Sequence, residues 1–360
     1  MADAPPLRIA LVTPEYPGCG ISHGIGRYVQ DLARALVNAG HSVSVFAATE
    51  HGIFEPLADP PKPGRGPRVG SLLIRSLVIA PWLRKCLRAF RPDVVELSNW
   101  GGLHLAVGGD SPVVVRLSTS AIDAGGSRRD PVRLARWALE LATVQRARLV
   151  IADSAAMAER GRKLYHRSPD AVIHHGWIGG RRRPAPTAQP EALFVGRLEP
   201  RKGIDVLLDA WPAVLKRIPN ARLHVVGAGS LDRALPPNVE IHGWLSDGQL
   251  LSLRQRCRVQ VVPSRFESFG LVVLEAWAQG MAVVASDAGG LAEVVEKAGI
   301  LVRAGSLEEL ATALAEALDA DRAIELAERG AERLDLFSES AWVRASVSAY
   351  RRAIAAGAGA

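Results

Sequence analysis

The sequence predicts an α/β protein with two parallel sheets, each opened by the same order of strand, loop and helix. Residues 7–14, LRIALVTP, are an apolar run of strand length. A glycine-bearing loop, PGCGISHG, follows, and then IGRYVQDLARALVNAG, where Ile25, Val29, Leu32 and Leu36 recur at helical spacing before Gly40 stops the helix. The order returns in the second half: EALFVGR (191–197) reads as a strand, LEPRKG as a loop, IDVLLDAWPAVLKRI as a helix and ARLHVVG as the next strand. A chain of 360 residues exceeds one ordinary core; at about 150 residues per domain, two domains and a cleft are expected.

The other elements fit this frame. HSVSVFAA, DVVELS (93–98), PVVVRLS (112–118), RLVIADS (148–154) and AVIHHG (171–176) are strand candidates of a first domain, residues 1–177. VEIHGW, RVQVVPS and MAVVASD, the last followed by AGGLAEVV, belong to a second, residues 191–337. Between them IGGRRRPAPTAQP (178–190) is rich in Gly, Pro and Arg, lacks apolar period, and reads as a linker. A terminal helix spans about 338–356, with Ser338 as its N-cap candidate.

Composition narrows the function. Hydrophobic residues at 48% and charged residues at 22% exclude global disorder. Three cysteines, Cys19, Cys86 and Cys257, lie far apart without metal-type spacing, so neither a disulfide framework nor a zinc site is expected, and a reducing cytoplasm fits. Neither a secretory leader nor a run of 18 apolar residues is read from the sequence. The net charge of +7 favours anionic partners. Aromatics are 5% and not interleaved with the arginines, which argues against nucleic acid and leaves phosphorylated small molecules or an anionic membrane surface.

In open parallel sheets, ligands bind beyond the carboxyl ends of the strands. In GRLEPRKG (196–203), Arg197, Arg201 and Lys202 gather before a helix, an unfavourable place for cations unless an anion is held among them. A phosphate meets that need; a solvated basic loop offset by Glu199 and Asp205 is the alternative. After RVQVVPS come Glu267 and Glu275, with ESFGL offering backbone amides at a helix start. Carboxylates accept hydrogen bonds from sugar hydroxyls and free amides suit a diphosphate, so the pair points to a nucleotide sugar. Glu275 stands within apolar LVVLEAWA with no cation within one helical turn, which calls for a partner from outside the helix or for water.

Other signals are weaker. GCGISHGIG (18–26) begins too late after its strand for a dinucleotide fingerprint and lacks GxGxxG spacing, though Gly24 is placed to bring an amide near a phosphate. Asp319-Ala320-Asp321 reads as a helix start rather than a metal motif, and His174 and His175 as packing residues. VGSLLIRSLVIAPWLRKCLRAF (69–90) mixes apolar and basic residues as membrane-surface helices do, and equally fits a core-facing crossover helix with an arginine edge.

With Glu267 to Glu275, GRLEPRKG, VVGAGS and GIGRYVQDLARAL in hand, the chain resembles the retaining glycosyltransferases of family four (glycosyl transferases group 1) over nearly its whole length, most strongly at 191–295. The resemblance implies a GT-B fold: two Rossmann-like domains with parallel sheets facing across a cleft, the last helix returning to the first domain. It implies a nucleoside diphosphate sugar as co-substrate, with no cofactor or metal required. Glu275 looks like the ribose-binding carboxylate and Glu267 like the one near the donor sugar. Arg197 and Lys202 match the pair that neutralises the leaving diphosphate. Ser268, Phe269, Gly270 and Leu271 would hold sugar and phosphate, Gly24 would close over them, and Trp244 lies where the base is held.

On the acceptor side stand Gly20 to Arg27, Asn99 and Arg116 to Ser120, with Ser118 where many members have a histidine and Thr119 beside it; in AQGMAVVAS, Ala282 replaces a usual proline. The implied acceptor is a saccharide, lipid-linked or small-molecule hydroxyl, with peripheral association at an anionic membrane as a further expectation. A nicotinamide-dependent oxidoreductase would instead use the first glycine loop. A non-catalytic polyanion or membrane binder would show salt-sensitive affinity without nucleotide selectivity.

Overall fold

A computed structural model describes residues 5–19, 24–49, 52–57, 62–65, 72–109, 111–123, 130–183 and 189–358. The chain divides into two compact units, Met1–Ile178 with Glu339–Ala360, and Gly179–Ser338.

The first unit runs β1 (Arg8–Thr13), α1 (Gly24–Asn38), β2 (Ser42–Thr49), β3 (Gly52–Glu55), β4 (Lys62–Arg65), α2 (Leu72–Phe90), β5 (Val94–Ser98), β6 (Val113–Arg116), α3 (Pro131–Arg146), β7 (Leu149–Ala152), α4 (Ala155–Tyr165) and β8 (Ala171–Val172). Its sheet has the order β4-β3-β2-β1-β5-β6-β7-β8. β2, β1, β5, β6, β7 and β8 pair in parallel. β1 and β7 are apolar along nearly their whole length because both faces are covered.

The all-parallel expectation needs one correction. β3 and β4 pair antiparallel at the sheet's edge. The sequence hid them because KPGR carries Pro and Gly, which strands tolerate only at edges. AVIHHG also contributes just the two residues of β8 to the sheet.

Helix α1 buries Val29, Leu32 and Leu36 as its spacing predicts. Asp130, followed by Pro131, caps α3, and Ser154 caps α4 by accepting from the Met157 amide. In α2, Ile79, Leu83 and Leu87 are buried while Leu77 and Trp82 are exposed, so the helix has a core-facing side; residues 69–71 of that stretch lie outside the described ones. No helix among the described residues is long and apolar enough to cross a membrane.

The second unit runs β9 (Glu191–Val195), α5 (Ile204–Arg217), β10 (Arg222–Val226), β11 (Val239–Gly243), α6 (Asp247–Arg256), β12 (Val259–Val262), α7 (Leu271–Ala278), β13 (Ala282–Ser286), α8 (Leu291–Val295), β14 (Ile300–Val302), α9 (Leu307–Ala317) and α10 (Ala320–Leu334). Its sheet is parallel throughout, in the order β11-β10-β9-β12-β13-β14. Phe194, Trp211, Leu223, Val261, Val284 and Leu314 belong to the core that joins this sheet to α5 and α9.

Asp319 caps α10 by accepting from the amides of Asp321 and Arg322, so DAD is a helix start. The basic stretch after residue 178 is tied to this unit: the Arg182 amide donates to the Ala278 carbonyl and Arg181 pairs with Asp335 at 2.5 Å. Residues 184–188 of the expected linker lie outside the described ones.

The last helix, α11 (Glu339–Ala358), packs in the first unit. Trp342 lies against Tyr28 and His175, and the Tyr350 hydroxyl donates to Glu96 at 2.6 Å. His175 thereby serves as a buried packing residue.

Candidate active site

In the second sheet β9 leads through α5 to β10 on one side, and β12 lies on the other. The strand order therefore reverses between β9 and β12, where an open parallel sheet leaves a crevice at the carboxyl ends. Arg197, Arg201 and Lys202 follow β9, and Ser264 to Glu267 follow β12.

Backbone contacts bind the two loops together. Gly203, at φ +72° between the 3-10 turn Pro200–Lys202 and α5, has no Cβ to strike the Pro263 carbonyl oxygen, which would lie 1.9 Å away. The Arg265 amide donates to the Arg201 carbonyl at 2.8 Å, and the Arg201 guanidinium to the Phe266 carbonyl at 3.3 Å. Behind them, the Gly290 amide donates to the Glu267 carbonyl at 2.9 Å.

On this scaffold Lys202 Nζ donates to Glu267 Oε1 at 2.5 Å, and Ser264 Oγ donates to the same oxygen at 2.8 Å. Burial would raise the Glu267 pKa, but the charges of Lys202 and Arg201 and the hydrogen bonds outweigh it, so the carboxyl is held below its ordinary range. It stays ionised at neutral pH and accepts hydrogen bonds.

Arg197 and Arg201 both reach Glu199 Oε1 at 3.0 Å, and Arg265 grips Asp205 through two bonds of 2.8 Å. Four cations thus face three carboxylates, leaving one net positive charge. The Arg197 side chain is 41% exposed and the most open of the three predicted cations.

The partner of Glu275 is Arg254 of α6, whose guanidinium donates to Glu275 Oε2. The partner thus comes from outside α7, one of the two alternatives that the sequence left open. Ser268 is half-buried; Phe269 is buried with its ring 5.6 Å from that of Phe337, so it offers a ligand its backbone rather than its ring. Gly270 precedes α7 and Leu271 begins it. Trp244, just past β11, is 71% exposed. Sequence reasoning missed Ser264, legible three residues before Glu267, and Arg254, for which spacing gave no signal.

In the first unit, Gly24 begins α1 and is exposed, while the Gly26 amide of that turn is taken by Glu15 at 2.9 Å. Residues 20–23 of the expected acceptor loop lie outside the described ones. Asn99 is buried: its Oδ1 accepts from the Ser118 amide at 2.7 Å and its Nδ2 donates to the Tyr165 hydroxyl at 3.0 Å. Arg116 is buried against Glu96 at 3.0 Å and stacks over Tyr28. Both side chains are thus engaged inside the unit and act through packing. Ser118 and Thr119 are half-buried.

Behind these residues Glu140 accepts from Ser120 Oγ at 2.6 Å, the Ala121 amide at 2.9 Å and the Tyr165 hydroxyl at 2.9 Å. Burial nevertheless raises its pKa from 4.5 to about 7. The folded state therefore keeps a proton that the unfolded chain has released, so this contribution is complete below the ordinary carboxylate range and is lost as pH rises through about 7. Urea unfolding is expected to show a loss of about 3 kcal/mol between about pH 5 and about pH 8. A Glu140→Gln variant with the same slope would reject this assignment.

Two family models match the chain, one described as Glycosyltransferase Family 4 over residues 22–177 and one as Glycosyl transferases group 1 over residues 189–320. A glycogen synthase of Mycobacterium tuberculosis is 30% identical, over 93% of this chain and 92% of its own. The chain belongs to glycosyltransferase family 4. The transferase is also 28% identical to D-inositol 3-phosphate glycosyltransferase 2 of Catenulispora acidiphila, over 97% of this chain and 96% of that one. Sucrose-phosphate synthase of Thermosynechococcus elongatus shares its GT-B fold at a TM-score of 0.79 and 24% identity, covering 97% of this transferase and 100% of that chain.

Proposed function

We propose that this glycosyltransferase moves a hexosyl group from a nucleoside diphosphate, UDP or GDP, to an acceptor hydroxyl, with retention and without a catalytic metal. The observation that carries the reading is the joining of Lys202, Ser264 and Glu267 at the switch point between β9 and β12. The bond from the anomeric carbon to the phosphate oxygen breaks, and one to the acceptor oxygen forms. The acceptor proton passes to the departing diphosphate. Arg197 and Lys202 neutralise the charge that develops there, Glu267 holds sugar hydroxyls, and amides from Ser268 to Leu271 meet sugar and phosphate.

Glu275, steadied by Arg254, takes the ribose hydroxyls, and exposed Trp244 covers the base. The Gly24 amide is a further donor to phosphate, and Ser118 and Thr119 are the acceptor-side contacts. Retention rests on the family resemblance and is read by NMR from the anomer first formed. The relatives named above are, by their names, a glycogen synthase and a D-inositol 3-phosphate glycosyltransferase. Here the acceptor belongs to envelope glycan, glycolipid or natural-product glycoside synthesis, the lipid-linked case bringing the protein to the inner membrane surface.

Calorimetry with UDP and GDP, with chelator present and NADPH as control, tests the donor class. Selective binding of one diphosphate is expected; binding of NADPH alone, or equal binding of all three at low salt only, would overturn it. Glu275→Gln, which keeps the packing, is expected to weaken the preferred diphosphate about tenfold or more. Unchanged affinity would remove Glu275 from the site.

A further inference from the structure

Outside the donor loops, one cluster has a use that the transfer reaction does not supply. His224 on β10 pairs in register with Glu240 on β11, and His242 lies two residues beyond Glu240. The ladder then shifts: Val225 faces Ile241 but Val226 faces Gly243, so His242 is the extra residue of a bulge. Bulges re-aim side chains, and this one occurs where His242 meets His224.

We infer that His224, Glu240 and His242 bind one divalent transition metal of the zinc class at this edge of the second sheet. His224 Nδ1 lies 3.0 Å from His242 Nε2 and 3.5 Å from Glu240 Oε2. A tetrahedral ion with nitrogen and oxygen ligands at about 2.0–2.1 Å separates neighbouring ligand atoms by about 3.3 Å. The two spacings bracket that value, and one ligand atom from each of the three residues lies within 4.8 Å of the others.

An ion at Nδ1 requires the His224 proton on Nε2. That Nε2 is buried without a hydrogen-bond partner and faces Glu191 Oε2 at 3.4 Å. A proton on that nitrogen, held toward the carboxylate, leaves the Nδ1 lone pair for the ion, the arrangement by which a carboxylate orients a metal-binding histidine. Access is graded, because the side chains are 2% exposed at His224, 19% at His242 and 65% at Glu240. Water can reach the fourth position.

A competing set shares His224. Glu191, His224 and Cys257 also bring ligand atoms within 4.8 Å of one another, but all three are buried and Arg256 already engages Glu191 at 3.3 Å. The outer set is the one an ion can enter without displacing a charge partner.

The test uses tag-free protein stripped with chelator and titrated with Zn(II), and separately with Co(II). One equivalent is expected to bind, to raise the thermal midpoint, and with Co(II) to give the visible bands of a tetrahedral site. Glu240→Gln and His242→Ala, both at accessible positions, are expected to weaken binding at least tenfold while leaving the metal-free urea midpoint in place. Absence of binding, or full affinity in His242→Ala, would overturn the assignment. A thiolate-to-cobalt charge-transfer band abolished by Cys257→Ser would also overturn it, moving the ion to the inner set.

Discussion

Replacing Lys202 by methionine is expected to lower kcat/KM for sugar transfer by roughly 10²- to 10³-fold, the usual loss when a group stabilising developing charge is removed. Methionine keeps the length and much of the packing, so the change isolates the ammonium. Two consequences follow from the 2.5 Å pair with Glu267. The departing diphosphate loses a cation, and a mostly buried carboxylate loses the charge that keeps its pKa low. The paired carboxylate contributes stability above the ordinary carboxylate range that is lost as pH falls through its depressed folded-state pKa. In the variant that acid-dependent contribution shrinks, and stability at neutral pH drops by about 3 kcal/mol. A double-mutant cycle with Glu267→Gln separates the effects: the stability terms should couple, and the rate loss should persist. A variant within threefold of the wild-type kcat/KM would remove Lys202 from the leaving-group role.

Gly203→Ala is expected to cost about 4 kcal/mol of stability and to weaken diphosphate binding with it. The new Cβ would stand 1.9 Å from the Pro263 carbonyl oxygen and 2.7 Å from its carbon, at φ +72°. Backbone atoms cannot swing aside as a side-chain end can, so the Pro200–Lys202 turn must retreat from the loop carrying Ser264 and Glu267. The comparison is Gly40→Ala, where φ is +84° but the added Cβ meets nothing within 4 Å. That variant carries the conformational penalty alone, about 1 kcal/mol. Equal losses in urea unfolding would show that crowding at Pro263 has no part in holding the site together.

The fold was legible where both faces of a strand are covered, because such strands read as continuous apolar runs, as in β1, β9 and β13. Helix starts were legible where a capping side chain precedes them, as at Asp319. The β3–β4 edge was not, since its residues favour turns and only their neighbours make them strands. In the candidate site, the cations of GRLEPRKG stood out because like charges gathered at a helix start. Arg254 did not, because it lies 21 residues from Glu275 and shares no element with it. Asn99 and Arg116 read as ligand-facing for a related reason: a polar residue at a strand end looks so until its buried partners, Tyr165 and Glu96, are located. His224 and His242 escaped notice because their approach needs a β-bulge, which no spacing rule encodes.

The return of α11 to the first unit has a consequence for synthesis. Trp342 and Tyr350 are part of that unit's core, and the hydroxyl of Tyr350 helps satisfy the carboxylate of Glu96, which also holds Arg116. A ribosome making about 5–20 residues per second needs on the order of 10–30 s to pass from Gly179 to Ser338. During that interval the Tyr350 hydroxyl that donates to Glu96 and the Ser346 hydroxyl beside Arg116 have not yet been made. The eight strands of the first unit are all made before Gly179, and only α11 is still to come. The first unit is thus closed by a helix translated only after the whole of the second.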